Sequence, residues 1–217
     1  TIPFPARHLF KNSTYTYPDA LHSRTAALIT SRGCPGRCIY CSTALKRFRA
    51  RSAKNVADEI ESLTKGFQIK EIHVWDDNFV TKKERVHEIK DEILRRNLKI
   101  KFSFPNGIRA DFLDKEVLKS LKDMGTYSLA VGIESGNQQV LDNAQKGIRL
   151  EKIIKAFEMA KQLRFEIWAF FMFGLPGEDL NAGYDTIRFA KEIDPDVAKF
   201  HILKPYPGTK IYSYMLE

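Results

Sequence analysis

Short apolar runs alternate with longer amphipathic stretches along most of the chain. The short runs predict six strands, at residues 24–31, 71–76, 101–105, 127–134, 166–174 and 198–204. Apolar residues at helical spacing predict five helices between them, at residues 53–66, 82–96, 115–124, 150–163 and 180–193. Candidate caps agree with these bounds: Ser52, Thr81 and Asp114 can begin helices, and Gly66 and Gly125 can end them.

Repeated strand–helix units predict how the strands pair. Strands joined by helical crossovers run parallel, and the crossovers are right-handed. Six such units curl into an open barrel rather than a closed eight-stranded one. The predicted fold class is therefore α/β, a partial (β/α)6 TIM-like barrel with parallel strands. Its ligand site is expected at the carboxyl ends of the strands, with one side open for a large substrate.

The start of the chain differs from the rest in composition. Residues 1–23 contain Pro3, Pro5 and Pro18 and show neither helical nor strand periodicity, so they are predicted to be a linker segment. Residues 24–217 are predicted to form one core domain. Because the chain starts with a threonine and ends without an obvious terminating element, we expect it to be a fragment of a longer polypeptide.

All three cysteines lie in one loop after the first predicted strand. Cys34, Cys38 and Cys41 are separated by three and two residues, and Gly33 and Gly36 allow the backbone to turn tightly around them. Three thiolates at this spacing can bind one corner of a metal cluster. A closed zinc site or an ordinary 4Fe–4S carrier needs a fourth protein ligand, and the chain has no fourth cysteine. One metal position is therefore predicted to be open to another ligand.

Polar and glycine-rich residues follow the other predicted strands. They are Asp76, Asp77 and Asn78 after the second strand, residues 106–109 after the third, Glu134 and Ser135 at the end of the fourth, residues 174–178 after the fifth, and residues 204–208 after the sixth. Because the strands are parallel, all these residues are predicted to face the cysteine loop.

The cysteine spacing, with an aromatic residue at Tyr40, resembles the cluster motif of the radical S-adenosylmethionine (radical SAM) enzymes. The resemblance covers nearly the whole chain. It implies a 4Fe–4S cluster on Cys34, Cys38 and Cys41, whose remaining iron is chelated by SAM. It also implies that SAM is cleaved reductively to methionine and a 5′-deoxyadenosyl radical, which abstracts hydrogen from a substrate.

The resemblance further implies which residues contact SAM. Asp76, Asp77 and Asn78 correspond to the loop that meets the methionine amino group, where the family usually shows Gly-Gly-Glu. Glu134, with Ser135 beside it, resembles the acid that meets the ribose hydroxyls or the methionine portion. The alternative for Glu134 is a pair with a neighbouring cation such as Arg109.

Three further positions are expected at the same ligand. Arg109 corresponds to an arginine near the SAM carboxylate, although a salt bridge to Asp111 or Asp114 is the structural alternative. The turn that contains Gly174 and Pro176 is expected to lie against the adenine. Tyr40 would offer backbone contacts to the same ring.

Strand alternation also predicts which polar side chains face the barrel lumen. These substrate-side candidates are Glu71, His73, Trp75, Ser103, Lys199 and His201. The alternative for each of them is a polar side chain satisfied inside the barrel. The expected substrate is a small or lipid-like organic molecule.

Several motifs indicate a branch of the family. Residues 2–8, 132–136, 174–178 and 205–209 resemble the radical SAM domain of proteins with a cobalamin-binding domain, the class B type. This resemblance implies cobalamin-dependent C-methylation, with cobalamin held by a domain outside this chain. The alternative within the family is a methylthiotransferase-like enzyme, which normally carries a second cluster on three more cysteines.

The net charge of +8 does not indicate a basic surface over the whole chain, because most basic residues are dispersed among acidic ones. The exception is a run directly after the cysteine loop: Lys46, Arg47, Arg49, Arg51 and Lys54. We expect this run to steer an acidic electron donor such as flavodoxin, or an anionic substrate, and we do not expect nucleic-acid binding.

The remaining sequence features concern location and a second class of function. The longest central apolar run, residues 167–175, is too short for a transmembrane segment, and clustered thiolates suit a reducing compartment, so a cytoplasmic location is expected. The alternative class is a basic RNA-binding protein in which the cysteines hold zinc, with His22 or another histidine as fourth ligand.

Overall fold

Six parallel strands form the main sheet of the computed structural model, which describes residues 3–10, 17–44 and 46–216. In spatial order they are β1 (Thr25–Leu28), β4 (Glu71–Val74), β5 (Lys101–Ile108), β6 (Thr126–Glu134), β7 (Glu166–Phe173) and β8 (Val197–Ile202). A separate antiparallel pair, β2 (Ser31–Arg32) and β3 (Arg49–Ala50), brackets the cysteine loop. The sheet is open, because β1 and β8 are its two edges and do not pair with each other. The partial parallel barrel is confirmed.

Helices connect the parallel strands. They are α1 (Ala53–Gly66), α2 (Lys83–Arg95), α3 (Lys115–Asp123), α4 (Gln138–Asn143), α5 (Leu150–Gln162), α6 (Leu180–Ile193) and α7 (Lys210–Tyr214). The five long helices agree with the predicted ones to within a residue or two. The short helices α4 and α7 were not predicted, because one or two turns show no clear period. None of the helices in the described ranges has the length and apolarity needed to cross a membrane.

The core lies between the outer face of the sheet and the long helices. On β6, Leu129, Val131 and Ile133 are fully buried against the helices, as the alternation predicts. The opposite face of the neighbouring strands points into the lumen. There the Lys199 ammonium lies 4.2 Å from the centre of the Trp168 ring. The outer face of the sheet therefore forms the core with the helices, and the lumen face is available for ligands.

Two local predictions need correction. The first strand ends at Leu28 rather than residue 31, because Ser31 and Arg32 leave the parallel sheet to pair with β3. Thr81 does not cap α2; its hydroxyl donates instead to the carbonyl oxygen of Asn78 at 2.9 Å. The Gly66 and Gly125 stops and the Ser52 and Asp114 caps are as predicted: α1 ends at Gly66, Gly125 follows α3 with φ of +101°, and both cap side chains accept backbone N–H bonds.

The described parts of the first 23 residues pack on the barrel. Arg7 donates from Nη2 to the carbonyl oxygen of Ala27 at 2.7 Å and to Glu59 Oε1 at 3.0 Å. The Tyr17 ring stacks on the His73 ring with 4.2 Å between their centres. This segment therefore lies against the edge strand and closes part of the lumen.

A buried polar layer fills the lumen beneath Tyr17. Glu71 and His73 face inward as predicted, but neither has any exposed surface, and Glu71 Oε1 lies 2.7 Å from His73 Nε2. Tyr127 donates to the same carboxylate oxygen at 2.5 Å. Glu71 and His73 therefore follow the alternative given for them, polar side chains satisfied inside the barrel, and they do not line the substrate space, because the N-terminal segment covers them. Trp75, Lys199 and His201 remain exposed.

Candidate active site

The cysteine loop begins where β1 leaves the sheet, and its shape depends on Gly33. This residue has φ of +87°, and a Cβ there would lie 2.4 Å from the carbonyl oxygen of Arg47. Only glycine fits such a position without displacing the backbone. Asp77 also fixes the position of Gly33, because its Oδ2 accepts the Gly33 N–H at 2.6 Å. The loop is thereby tied to the end of β4.

Two thiols of the loop lie on the same side of Gly36. A Cβ at Gly36 would be 3.3 Å from Cys34 Sγ and 3.9 Å from Cys38 Sγ. Cys34 Sγ accepts the Gly36 N–H at 3.4 Å, and Cys41 Sγ lies 3.1 Å from Thr43 Oγ1. Burial raises the pKa of the Cys34 thiol, although the Gly36 N–H acts in the opposite direction. The loop therefore holds Cys34 and Cys41 partly buried and Cys38 buried, with a backbone donor at Cys34 and a side-chain hydroxyl at Cys41.

The number of thiols limits the kind of metal group that the loop could hold. Among the residues that the structure describes, no group of three or more His, Cys, Asp or Glu side chains is arranged to hold one metal ion. In a 4Fe–4S cluster each thiolate binds a different iron, so the sulfurs lie farther apart than around a single zinc. The donor set, three thiols and no fourth cysteine, fits a cluster with one iron open to another ligand.

Arg109 joins the cysteine loop to the end of β5. Its Nη1 lies 3.8 Å from Cys38 Sγ, and it forms the predicted alternative salt bridge to Asp111 at 2.9 Å. Asp114 instead pairs with Lys83. Burial lowers the pKa of Arg109, but Asp111 and the cysteine thiolates outweigh burial and raise it. Arg109 therefore places a fixed positive charge beside Cys38.

Glu134 ends β6 in an unusual backbone conformation. Its φ is +73°, and the pairing with β7 shifts register between Gly132 and Glu134. Glu134 Oε1 lies 2.8 Å from Lys146 Nζ, so Glu134 does pair with a neighbouring cation, as the alternative suggested, but the cation is Lys146 and not Arg109. Lys146 was missed because it follows the unpredicted helix α4 and no periodic pattern points to it. The carboxylate is therefore anchored at one oxygen.

Tyr40, in the cysteine loop, has a buried hydroxyl. Within the described residues the Tyr40 hydroxyl has no hydrogen-bond partner. Burial raises the pKa of this hydroxyl well above its usual range, and the nearby Glu134 and Cys38 charges act in the same direction. A buried polar group without a partner calls for a missing ligand or water. The Tyr40 hydroxyl, two residues from Cys38 in the same loop, is therefore a polar group that a cofactor could satisfy.

Three predicted site residues use their side chains to hold strand ends. Both carboxylate oxygens of Asp76 accept bonds from the loop after β1. Asn78 donates to Thr81 Oγ1 at 3.0 Å. Ser135 is fully buried, and its Oγ lies 3.1 Å from Thr186 Oγ1 on α6. These side chains therefore position the loops around the site.

The turn after β7 lies on the other side of the site. Gly174 has φ of +89°, and its N–H donates to the Glu178 carboxylate. The carbonyl oxygen of Pro176 accepts a bond from Asn143 Nδ2 at 3.1 Å, which ties the turn to α4. The backbone of this turn is thus held in one shape.

His22 does not lie at the cysteines. It precedes β1, and its backbone N–H donates to Glu71 Oε2 at 2.9 Å near the amino ends of the strands. The cysteines follow the carboxyl end of the same strand. The hypothesis of a zinc site completed by His22 is therefore wrong.

Sequence comparisons identify relatives of the chain. The sequence profile of the Radical SAM superfamily matches residues 28–190. An uncharacterised methyltransferase of Pyrococcus horikoshii is 35% identical over 218 residues, covering 99% of this chain and 46% of that protein. Cytidylyl-2-hydroxyethylphosphonate methyltransferase of Streptomyces wedmorensis is 29% identical, covering 97% of this chain and 42% of that protein. The chain spans less than half the length of these two relatives.

Solved structures share the fold. The radical S-adenosylmethionine methyltransferase TsrM from Kitasatospora setae, with cobalamin and a [4Fe–4S] cluster bound, superposes with a TM-score of 0.78 at 20% identity. That match covers 86% of this chain and 38% of TsrM. The cobalamin-dependent enzyme OxsB, with aqua-cobalamin and S-adenosylmethionine bound, gives a TM-score of 0.73 at 23% identity, covering 88% of this chain and 34% of OxsB. At these identities the matches establish the fold alone.

Proposed function

The chain belongs to the radical SAM superfamily, and from this premise we propose that residues 24–217 form a radical SAM domain and residues 1–23 a linker packed beside it. In this proposal Cys34, Cys38 and Cys41 bind three irons of a 4Fe–4S cluster. The amino and carboxylate groups of SAM bind the fourth iron. The observation that carries the proposal is the single glycine-shaped loop, which holds all three thiols and the Tyr40 hydroxyl, unpartnered among the described residues.

The chemistry needs one electron from outside the chain. When bound, the reduced cluster supplies this electron to SAM, whose bond between sulfur and C5′ breaks to give methionine and a 5′-deoxyadenosyl radical. The chemistry that the cluster and SAM would supply is removal of a hydrogen atom from a substrate carbon, with 5′-deoxyadenosine as the by-product. Phe170 and Met172, on the lumen face of β7, would keep water away from these species.

Three side chains are proposed to contact SAM directly. Glu134 accepts hydrogen bonds from the ribose hydroxyls through Oε2, because Oε1 already binds Lys146. Arg109 lies beside Cys38 and faces the SAM carboxylate. Asp77 meets the methionine amino group with its remaining lone pairs, since one carboxylate oxygen holds Gly33.

The other predicted contacts are proposed to use the backbone. Asp76, Asn78 and Ser135 have side chains engaged with neighbouring loops, so their role is to fix the strand ends. Tyr40 and the turn of Gly174 and Pro176 provide main-chain groups for the adenine. Because Asp76 and Asn78 would use their side chains to hold loops, and not to contact SAM, the sequence Asp-Asp-Asn can replace the Gly-Gly-Glu that the family usually has.

We propose methylation of a carbon atom as the overall reaction of the parent protein. Two relatives, each matched over nearly the whole chain, are named methyltransferases. Two solved structures with this fold contain cobalamin. When bound, cobalamin would carry the methyl group of a second SAM to the substrate radical, and one further electron from the donor would restore the cofactor. No residue of this chain is assigned to it, so we place it in a domain elsewhere in the parent protein. The substrate is proposed to be a small or lipid-like organic molecule.

An acidic electron donor such as flavodoxin is proposed to dock beside the cysteine loop. Of the basic run, Arg51 is engaged with Glu59 at 2.6 Å and Lys54 with Asp58 at 2.9 Å. Arg49 lies directly opposite Arg32 in the β2–β3 pair, which places two like charges together. Like charges in facing strand positions repel, so an anionic partner there would relieve the repulsion.

The overall reaction can be tested with the full-length protein. After anaerobic reconstitution with iron, sulfide and hydroxocobalamin, we expect it to retain stoichiometric cobalamin and to form 5′-deoxyadenosine from SAM under reduction. Methyl-labelled SAM should yield a product that carries the label on carbon. Absence of bound cobalamin together with a second iron–sulfur cluster would instead favour the methylthiotransferase alternative and overturn the methylation proposal.

A further inference from the structure

Lys146 is a buried cation whose place in the site was not expected from the sequence. Lys146 is 5% exposed. It lies in the turn after α4, between Gln145, which has φ of 52°, and Gly147, which has φ of 66°. Its N–H donates to the carbonyl oxygen of Leu141 at 3.0 Å. Its own carbonyl oxygen accepts a bond from Arg109 Nη2 at 2.8 Å. The backbone of Lys146 is thus held from both sides.

The Lys146 ammonium holds the Glu134 carboxylate over Gly132. A Cβ at Gly132 would lie 2.7 Å from Glu134 Oε1 and 3.2 Å from Lys146 Nζ. The ion pair therefore occupies the space that a side chain at residue 132 would fill. Glu134 also keeps a left-handed backbone conformation that disfavours side chains other than glycine. Such strain persists only where neighbouring contacts impose it, and the ion pair with Lys146 is one such contact.

Stability alone does not account for this pair. Removing two charges from water is costly, and apolar side chains of similar volume would often stabilise a fold as well or better. Burial lowers the pKa of Lys146, but the negative charges of Glu134 and Cys38 outweigh burial and raise it. The ammonium lies 2.8 Å from Oε1 of the candidate SAM ligand Glu134.

We propose that Lys146 is a positioning residue for SAM. It holds Glu134 Oε1, so that Oε2 is directed at the ribose hydroxyls, while its carbonyl oxygen holds Arg109 beside Cys38. Among the described residues, no hydrogen bond reaches Glu134 Oε2. This inference rests on the proposed function, because it assigns Lys146 a role toward the ligand proposed there.

The test is the affinity for SAM of the cluster-loaded full-length protein without reductant, so that no turnover occurs. Lys146→Met should raise the Kd for SAM about ten-fold or more, because the charge-assisted bonds of Glu134 to the ribose lose their geometry. Iron and sulfide content should stay unchanged. Lys146→Arg should restore most of the affinity, since it keeps the positive charge. Lys155→Met, at an exposed position on α5, is the matched control and should bind SAM as the natural protein does.

A SAM analogue without the ribose 2′-hydroxyl separates positioning from general damage. If Lys146 acts through Glu134 on the ribose, Lys146→Met should weaken binding of 2′-deoxy-SAM much less than binding of SAM. Equal weakening for both compounds, or unchanged affinity for SAM, overturns the inference. If Lys146→Met does not fold, Gly132→Ala is the second variant. It displaces the carboxylate from beside Lys146 and should give the same selective loss, and an unselective effect would overturn the inference in the same way.

These outcomes are distinct from failure of the proposed function. If the natural protein binds no SAM when loaded with its cluster, the proposed function is wrong. If the natural protein binds SAM and Lys146→Met binds it equally well, only the role of Lys146 is wrong.

Discussion

Replacing Cys38 with alanine abolishes the formation of 5′-deoxyadenosine from SAM. Cys38 is buried, lies close to Cys34 across Gly36 and faces Arg109, so it is the central ligand of the proposed cluster. Two remaining thiolates cannot hold three irons, so the cluster is lost or degraded. The measurement is chromatographic detection of 5′-deoxyadenosine under anaerobic reduction, together with iron and sulfide content.

The matched control for this variant is Ser42→Ala. Ser42 lies in the same loop and is exposed, and it carries no proposed ligand. It should retain the cluster and form 5′-deoxyadenosine at the natural rate. Activity of Cys38→Ala comparable with that of Ser42→Ala would refute the cluster assignment.

Replacing Glu134 with glutamine should weaken SAM binding and destabilise the fold together. Losing the ionised acceptor removes about 1.5–3 kcal/mol of charge-assisted hydrogen bonding, which corresponds to a rise in Kd of about ten- to one-hundred-fold. The substitution also leaves the Lys146 ammonium buried without its counter-charge. Breaking a buried pair in this way costs about 3 kcal/mol or more in the free energy of unfolding.

A double variant tells the two effects of Glu134 apart. Glu134→Gln combined with Lys146→Met removes both charges, so denaturant unfolding should show recovered stability. SAM affinity should stay low, because the acceptor for the ribose is still absent. Recovery of both properties would show that Glu134 serves the fold and not the ligand.

The sequence predicted the parts of the molecule that depend on periodicity. Strand and helix patterns extend over enough residues to distinguish the outer face of β6, with Leu129 and Val131, from its lumen face. The direction of parallel strands then placed Asp77, Arg109 and Glu134 at one edge of the sheet with the cysteine loop. These residues are sequence-distant, and the fold class alone brings them together.

Other parts could not be predicted, because they depend on short elements or on contacts between distant residues. The two-residue strands β2 and β3 have no period, and the short helix α4 has too few turns to show one. The partner of Glu134 depends on a register shift in β6 and on the turn that carries Lys146. The burial of Glu71 and His73 depends on where the N-terminal segment folds back, since it is Tyr17 that covers the His73 ring.

The most direct test of the central claim is magnetic resonance of the reduced cluster in the presence of SAM. Protein purified anaerobically should contain about four irons and four sulfides per chain. After one-electron reduction, SAM labelled at its amino nitrogen and carboxylate oxygen should show hyperfine coupling to the cluster, because both groups bind the iron that no cysteine holds. Stoichiometric zinc without sulfide, or a reduced cluster with no coupling to labelled SAM, would contradict the account.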